Sequence, residues 1–415
     1  MVDSPVARDG PGAQAQQASA TGLALAGRAG RIPVLDGLRG IAILLVLFFH
    51  TTLVGPGSPV GSALFYTFRN WGWAGVDLFF VLSGFLITGV LLDSKAARPS
   101  SGKSHYFRNF YARRTLRIFP VYYGYLLLLL VLAPPVVFER VGGDWIWFGL
   151  FLQNFAMAGA GDFVHTHFLD HFWSLAVEEQ WYLFWPLVVL ATTRRRLVTV
   201  CVGLVVFSLL LRIVLLTQGV APVAIHVLTP TRFDGLAVGA LLACAARGPG
   251  GLGRWTPAAR AVALASVLGL AAVVFAQSGL FFYVLPGTLT AGFTLLACLF
   301  GACLVLAVGA KPEGFTARVL SGRLLGMFGR YSYAIYVVHE AVRVIFVLTL
   351  QRFGIKPYVD QPGQIWLQLL VYVGVIGLSV LVGAASWRFL ERPLLGLKRH
   401  FPNRPDASQV DAREA

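Results

Sequence analysis

The sequence predicts an all-α fold: a polytopic integral membrane helical bundle of about ten transmembrane helices with both termini cytoplasmic. Three observations predict it: composition, the length of the apolar runs, and the placement of basic residues. Of 415 residues, 57% are hydrophobic and 13% charged, and mean hydropathy is +0.71, far outside soluble averages. Apolar runs of about twenty residues recur at 37–54, 73–92, 197–217, 258–276 and 285–309, long enough to cross a hydrocarbon core of roughly 30 Å. Nothing alternates in the manner of a membrane barrel.

Taken in order, residues 1–30 are rich in Ala, Gly and Gln and lack an apolar segment beside a basic start. They read as a disordered cytoplasmic tail rather than a signal peptide. A membrane domain follows over 31–395, and 396–415 is a polar cytoplasmic tail. Eleven apolar stretches occur within the domain. The stretch at 145–157 is too short to span, and basic residues decide its status. If it dips in without crossing, the inner segments hold 25 Lys and Arg, and the outer loops hold only Arg69, Arg140, Arg352 and Lys356. This is the positive-inside pattern. It also accounts for the net charge of +15 without nucleic acid. Cys201, Cys244, Cys298 and Cys303 all lie in apolar runs with no metal-ligand spacing, so neither disulfides nor a metal are expected. No inverted repeat of the transporter kind is visible.

Ionisable groups within spans are costly and are functional candidates. The first span opens Leu35-Asp36-Gly37-Leu38-Arg39-Gly40 and runs apolar to His50. Arg39 and His50 are separated by about 16 Å of helical rise and about 20° of rotation, so they share a face. A lone buried histidine is more often structural, and companions change that reading. Asp77 heads the next span, followed by Ser83 and Gly84. It orients His50 by accepting a ring proton or merely caps the helix, and both remain open. Further on come Trp173, Ser174, Glu178, Glu179 and Tyr182. Glu178 and Tyr182 share a face at i,i+4; Ser174 also suits an N-cap. Arg232 and Asp234 open another span, and Ser332, Tyr336, His339 and Arg343 form a helical stripe. There Glu340 suits a structural pair with Arg343. Arg114 and Arg117 lie three apart, on one helical face, a geometry for phosphate oxygens or for anionic lipid.

Together these motifs resemble the family 3 membrane acyltransferases, which O-acetylate bacterial surface polysaccharides. The likeness covers about 31–395. It rests on Asp36-Gly37-Leu38-Arg39-Gly40 with His50, Phe79-Phe80-Val81-Leu82-Ser83-Gly84-Phe85, Arg114-x-x-Arg117, Trp173-Ser174-Leu175-x-x-Glu178 with Tyr182, and Ser332-Tyr333-x-x-Tyr336-x-x-His339. The resemblance implies acetyl-CoA or another acyl-CoA as donor and an essential histidine at His50. It implies donor binding by Arg39, Arg114 and Arg117, with Glu178 in the active site. Asp77 is a third catalytic candidate. Trp173, Ser174, Tyr182, Arg232, Asp234, Tyr336 and His339 are candidates for substrate binding.

The expected function is transfer of a short acyl group from cytoplasmic acyl-CoA to a hydroxyl of a cell-surface or lipid-linked glycan, in polysaccharide biosynthesis at the cell envelope. The expected setting is the bacterial cytoplasmic membrane, multi-pass, with the bilayer and a glycan acceptor as partners and no nucleic acid. Some members of the family carry a further extracytoplasmic hydrolase-like domain, so this chain either acylates its acceptor directly or works with a separate extracytoplasmic partner protein. Two other readings are a transporter of a lipid-linked sugar, whose buried charges would line a pathway, and an enzyme that tailors a small molecule such as a macrolide.

Overall fold

The computed structural model describes residues 32–53, 59–97, 102–132, 145–163, 168–355 and 365–402. The proposed tail 1–30, the outer-loop Arg140 and Lys356, and residues 403–415 lie outside the described residues. Ten long helices carry the fold: α1 (Pro33–Thr51), α2 (Gly75–Ala96), α3 (Gly102–Leu132), α4 (Trp173–Ala191), α5 (Arg194–Thr217), α6 (Phe233–Ala246), α7 (Thr256–Ala276), α8 (Phe293–Val308), α9 (Arg323–Arg352) and α10 (Ile365–Ser386). No strand occurs among the described residues. The protein is an all-α polytopic membrane bundle. Among the described residues, eight helical segments are long and apolar enough to cross a bilayer. The other two long helices fall below that measure. α6 has 14 residues, and the first turns of α4 carry Ser174, Glu178, Glu179 and Gln180.

The stretch at 145–157 is broken. Helices Trp145–Gly149 and Gln153–Ala160 flank Phe151 at φ 55°, a backbone conformation that stops a helix. Neither piece reaches the length of a span.

Small residues set the packing. α2 lies against α6, and α1 against α9. A Cβ on Gly84 of α2 would sit 1.9 Å from the Leu236 carbonyl oxygen, and one on Gly239 would sit 2.0 Å from that of Val81. Only glycine allows these backbones to touch, the logic of small residues four apart between membrane helices. Gly37 and Gly40 do the same for α1, against the backbones of Leu320 and Leu325. The Asp36-Gly37-Leu38-Arg39-Gly40 motif is thus a packing device that also delivers Arg39.

Two ion pairs are buried between α2, α5, α6 and α8. Arg232 Nη2 meets Asp77 Oδ1 at 2.5 Å, and Arg212 Nη2 meets Asp234 Oδ2 at 2.8 Å. Thr294 bridges the second pair, accepting from Arg212 at 2.6 Å and donating to Asp234 at 3.1 Å.

Candidate active site

Helix α1 runs from a basic end of the bundle, where Arg39 lies, to an end where His50 sits in its last turn. α9 runs beside it and brings His339, Glu340 and Arg343 to the same level. His339 Nδ1 lies 2.7 Å from the Tyr336 carbonyl oxygen. A carbonyl only accepts, so Nδ1 carries the proton and His339 Nε2 is left as an acceptor. His50 Nδ1 lies 3.0 Å from the Val46 carbonyl and 3.2 Å from His339 Nε2. Both are acceptors, so His50 holds its proton on Nδ1, and its Nε2 presents a lone pair. Glu340 Oε1 stands 4.0 Å from that Nε2. Arg343 fixes the carboxylate, with Nη2 at 2.6 Å and Nε at 3.1 Å from both oxygens. The His50 side chain is 23% exposed, whereas that of His339 is fully buried. A hydroxyl can therefore approach His50 and not His339.

His50, His339 and Glu340 also place nitrogen and oxygen atoms within 4.8 Å of one another. Ligands on a tetrahedral zinc stand only about 3.3 Å apart, given metal–ligand bonds near 2.0–2.1 Å. Arg343 already neutralises Glu340.

A cavity begins at the basic end. Arg39, Arg114 and Arg117 line it together with Ser83, Ser174, Glu178, Glu179, Tyr182 and Tyr336. Ser83 donates to Glu178 Oε1 at 2.7 Å and Tyr182 donates to Glu178 Oε2 at 3.2 Å, so α2 and α4 jointly hold this carboxylate. Arg114 stacks over Tyr182, 5.7 Å from the ring centroid. Neither Arg39 nor Arg114 makes a hydrogen bond or ion pair with the protein among the described residues, whereas Arg117 Nη1 lies 3.4 Å from Glu391 Oε2.

Ser174 and Tyr336, which line the cavity, form a polar layer on the side toward His339. Tyr336 donates to the His171 carbonyl at 3.0 Å, and its hydroxyl lies 2.5 Å from Ser174 Oγ. The His171 ring sits between, 5.3 Å from Tyr336 and 4.8 Å from His339, centroid to centroid. His50 is 4.9 Å beyond His339. Arginines, carboxylate, hydroxyl layer and histidines thus follow one another through the bundle.

A family model described as "Acyltransferase domain" matches residues 32–388. The chain belongs to the family 3 acyltransferases. Among its relatives, the provisionally named peptidoglycan O-acetyltransferase YrhL of Bacillus subtilis is 29% identical over 388 residues, 88% of this chain and 55% of YrhL. The peptidoglycan O-acetyltransferase OatA of Listeria monocytogenes is 25% identical over 383 residues, 88% of this chain and 56% of OatA. The chain thus spans little more than half the length of these relatives. No solved structure matches it.

Within this family 3 acyltransferase the structure brings together most of the residues singled out from sequence. Arg39, Arg114, Arg117, Ser174, Glu178, Tyr182 and Tyr336 share the cavity, and His339 touches His50. Four of the residues singled out from sequence lie elsewhere. Asp77 does not orient His50: no hydrogen bond or ion pair joins them among the described residues, and Asp77 is committed to Arg232. Arg232 and Asp234, at 0% and 1% exposure, are likewise held in buried ion pairs and do not line the cavity. Buried charges require partners, and these found theirs in each other and in Arg212. Trp173 is buried as well, packed on His226 with ring centroids 4.4 Å apart, and it does not line the cavity.

Sequence reasoning assigned Glu340 a structural pairing with Arg343. That pairing exists, yet the other face of the same carboxylate looks at His50. Positions 336, 339, 340 and 343 lie on one helical face, which was the available signal. His171, Glu179 and Arg343 were also passed over as site residues. Nothing in sequence spacing places His171 beside His339, because the two lie on different helical segments.

Proposed function

We propose that this family 3 acyltransferase moves an acetyl or other short acyl group from cytoplasmic acyl-CoA to a hydroxyl of a cell-surface or lipid-linked glycan, in the bacterial cytoplasmic membrane. The observation that carries this reading is the single line of groups from Arg39, Arg114 and Arg117, past Glu178 and the Ser174–Tyr336 layer, to His50. Arginines recognise phosphate oxygens by charge-assisted hydrogen bonds. The rise of about 16 Å from Arg39 to His50 is comparable to a pantetheine arm. The likeness to OatA, a peptidoglycan O-acetyltransferase, supports a glycan acceptor.

In this mechanism the acceptor hydroxyl gives its proton to His50 Nε2 as its oxygen attacks the thioester carbonyl. Glu340, 4.0 Å away, stabilises the imidazolium. Collapse of the tetrahedral intermediate breaks the carbon–sulfur bond, and the proton on Nε2 passes to the leaving sulfur. Products are the ester and the free thiol. The Ser174–Tyr336 contact must part for the thioester to meet His50. Lipid bilayer and glycan are the partners in this scheme.

The test is acetyl-CoA turnover in nanodiscs with crude cell-envelope glycans, wild type beside His50→Ala, read as released thiol. Release that depends on His50 is expected. Absence of release from wild type would overturn the donor assignment, and a stable acyl-enzyme formed with donor alone would replace the general-base step by a covalent one.

A further inference from the structure

The C-terminal stretch beyond α10 is docked rather than loose as far as Pro402. Arg113 donates through Nη1 to the Lys398 carbonyl at 3.2 Å and to the Phe401 carbonyl at 3.1 Å. Asn109 donates to the Pro402 carbonyl at 2.7 Å, and Glu391 faces Arg117. Four contacts from three side chains of α3 therefore fix this segment against the helix that carries Arg114 and Arg117.

The docking has an electrostatic consequence. Lys398 stands close enough to Arg114, Arg117, Arg113 and Arg39 to interact with all four. Its ammonium has no hydrogen bond among the described residues. Arg113 donates to neutral carbonyls, and among the described residues Arg39 and Arg114 have no acidic partner within ion-pair distance. Arg39, Arg114 and Arg117 line the cavity and Arg113 and Lys398 stand near them; among the described residues Glu391 is the acid ion-paired to one of the five, Arg117. Glu178 lies deeper, already accepting from Ser83 and Tyr182, and Glu179 beside it is ion-paired to none of the five. Gathering like charges destabilises a fold unless something of opposite sign joins them. A protein that uses three hydrogen bonds to add a lysine to four arginines is building for a polyanion.

We propose that the segment Leu397–Pro402 is part of the donor site, with Lys398 supplying a cation to the phosphate groups of the acyl carrier. This rests on the acyl-CoA reading above. Lysine serves phosphate as a mobile point charge, complementing the planar forks of Arg114 and Arg117. The specificity that follows is for a phosphorylated carrier over a bare pantetheine thioester.

The experiment compares wild type, Lys398→Ala and Lys398→Arg in nanodiscs, with acetyl-CoA and with S-acetyl-pantetheine, which carries no phosphate. Lys398→Ala is expected to raise KM for acetyl-CoA about tenfold, the weight of one charge-assisted hydrogen bond. It should leave kcat and the KM for S-acetyl-pantetheine within twofold of wild type, and Lys398→Arg should restore most of the loss. An unchanged KM for acetyl-CoA, or an equal loss with both thioesters, overturns the proposal while leaving the donor reading intact. If wild type turns over neither thioester, the donor reading itself fails, and this inference with it.

Discussion

Glu340→Gln is the substitution that bears most directly on the chemistry. The amide keeps the shape of the side chain and removes its charge. In wild type the carboxylate stands 4.0 Å from His50 Nε2, the atom that becomes positive in the transition state. At an effective dielectric constant near 20, two unit charges at that distance attract by about 4 kcal/mol. Arg343 lies on the far side of the carboxylate, 2.6 Å from Oε2, and repels the imidazolium in both proteins, so it leaves this difference unchanged; solvent at the part-exposed His50 screens some of it. A net loss of about 3–4 kcal/mol corresponds to roughly 100- to 1000-fold in kcat. The substitution also leaves Arg343 facing an amide, so the field at His50 turns positive. The assay is single-turnover thiol release from acetyl-CoA in nanodiscs, with thermal unfolding measured in parallel. KM for the donor should hold, because Glu340 is on the opposite side of the Ser174–Tyr336 layer from the arginines. A Glu340→Gln enzyme with kcat within threefold of wild type would refute the role, and so would a loss wholly explained by unfolding.

Two further outcomes follow from the packing. Asp77→Ala strands Arg232 without a partner in a fully buried setting, so it should lower stability by about 3–5 kcal/mol, while Asp77→Leu with Arg232→Met recovers much of it. A folded Asp77→Ala protein that is inactive would return Asp77 to the chemistry. Gly84→Ala would place a methyl carbon 1.9 Å from the Leu236 backbone oxygen, forcing α2 and α6 apart at a cost of about 1–3 kcal/mol; an unchanged unfolding midpoint in detergent would contradict the close approach.

The membrane class was legible from residue counts because the bilayer imposes its requirement on every segment separately. The same holds for the pairing of Arg114 with Arg117 and of Glu178 with Tyr182. Helical periodicity fixes such neighbours without reference to the rest of the chain. The placing of Asp77 beside His50 failed for a different reason. Both are at one end of adjacent spans, but Asp77 faces the turn that leads into α6, where Arg232 pairs with it. One-dimensional order says which helices are near and not which faces meet.

By itself, then, the sequence determined a helical membrane protein, the basic cluster at one end, and the histidine on the same helix face as Arg39. The tertiary structure decided the partners: Glu340 rather than Asp77 for His50, Arg232 for Asp77, and the chain's own residues 397–402 against Arg113. The physical reason is that a charge inside a bilayer is driven to a counter-charge wherever the helix packing offers one. That packing is set by glycines such as Gly84 and Gly239, whose contact surfaces come into being only when two helices meet.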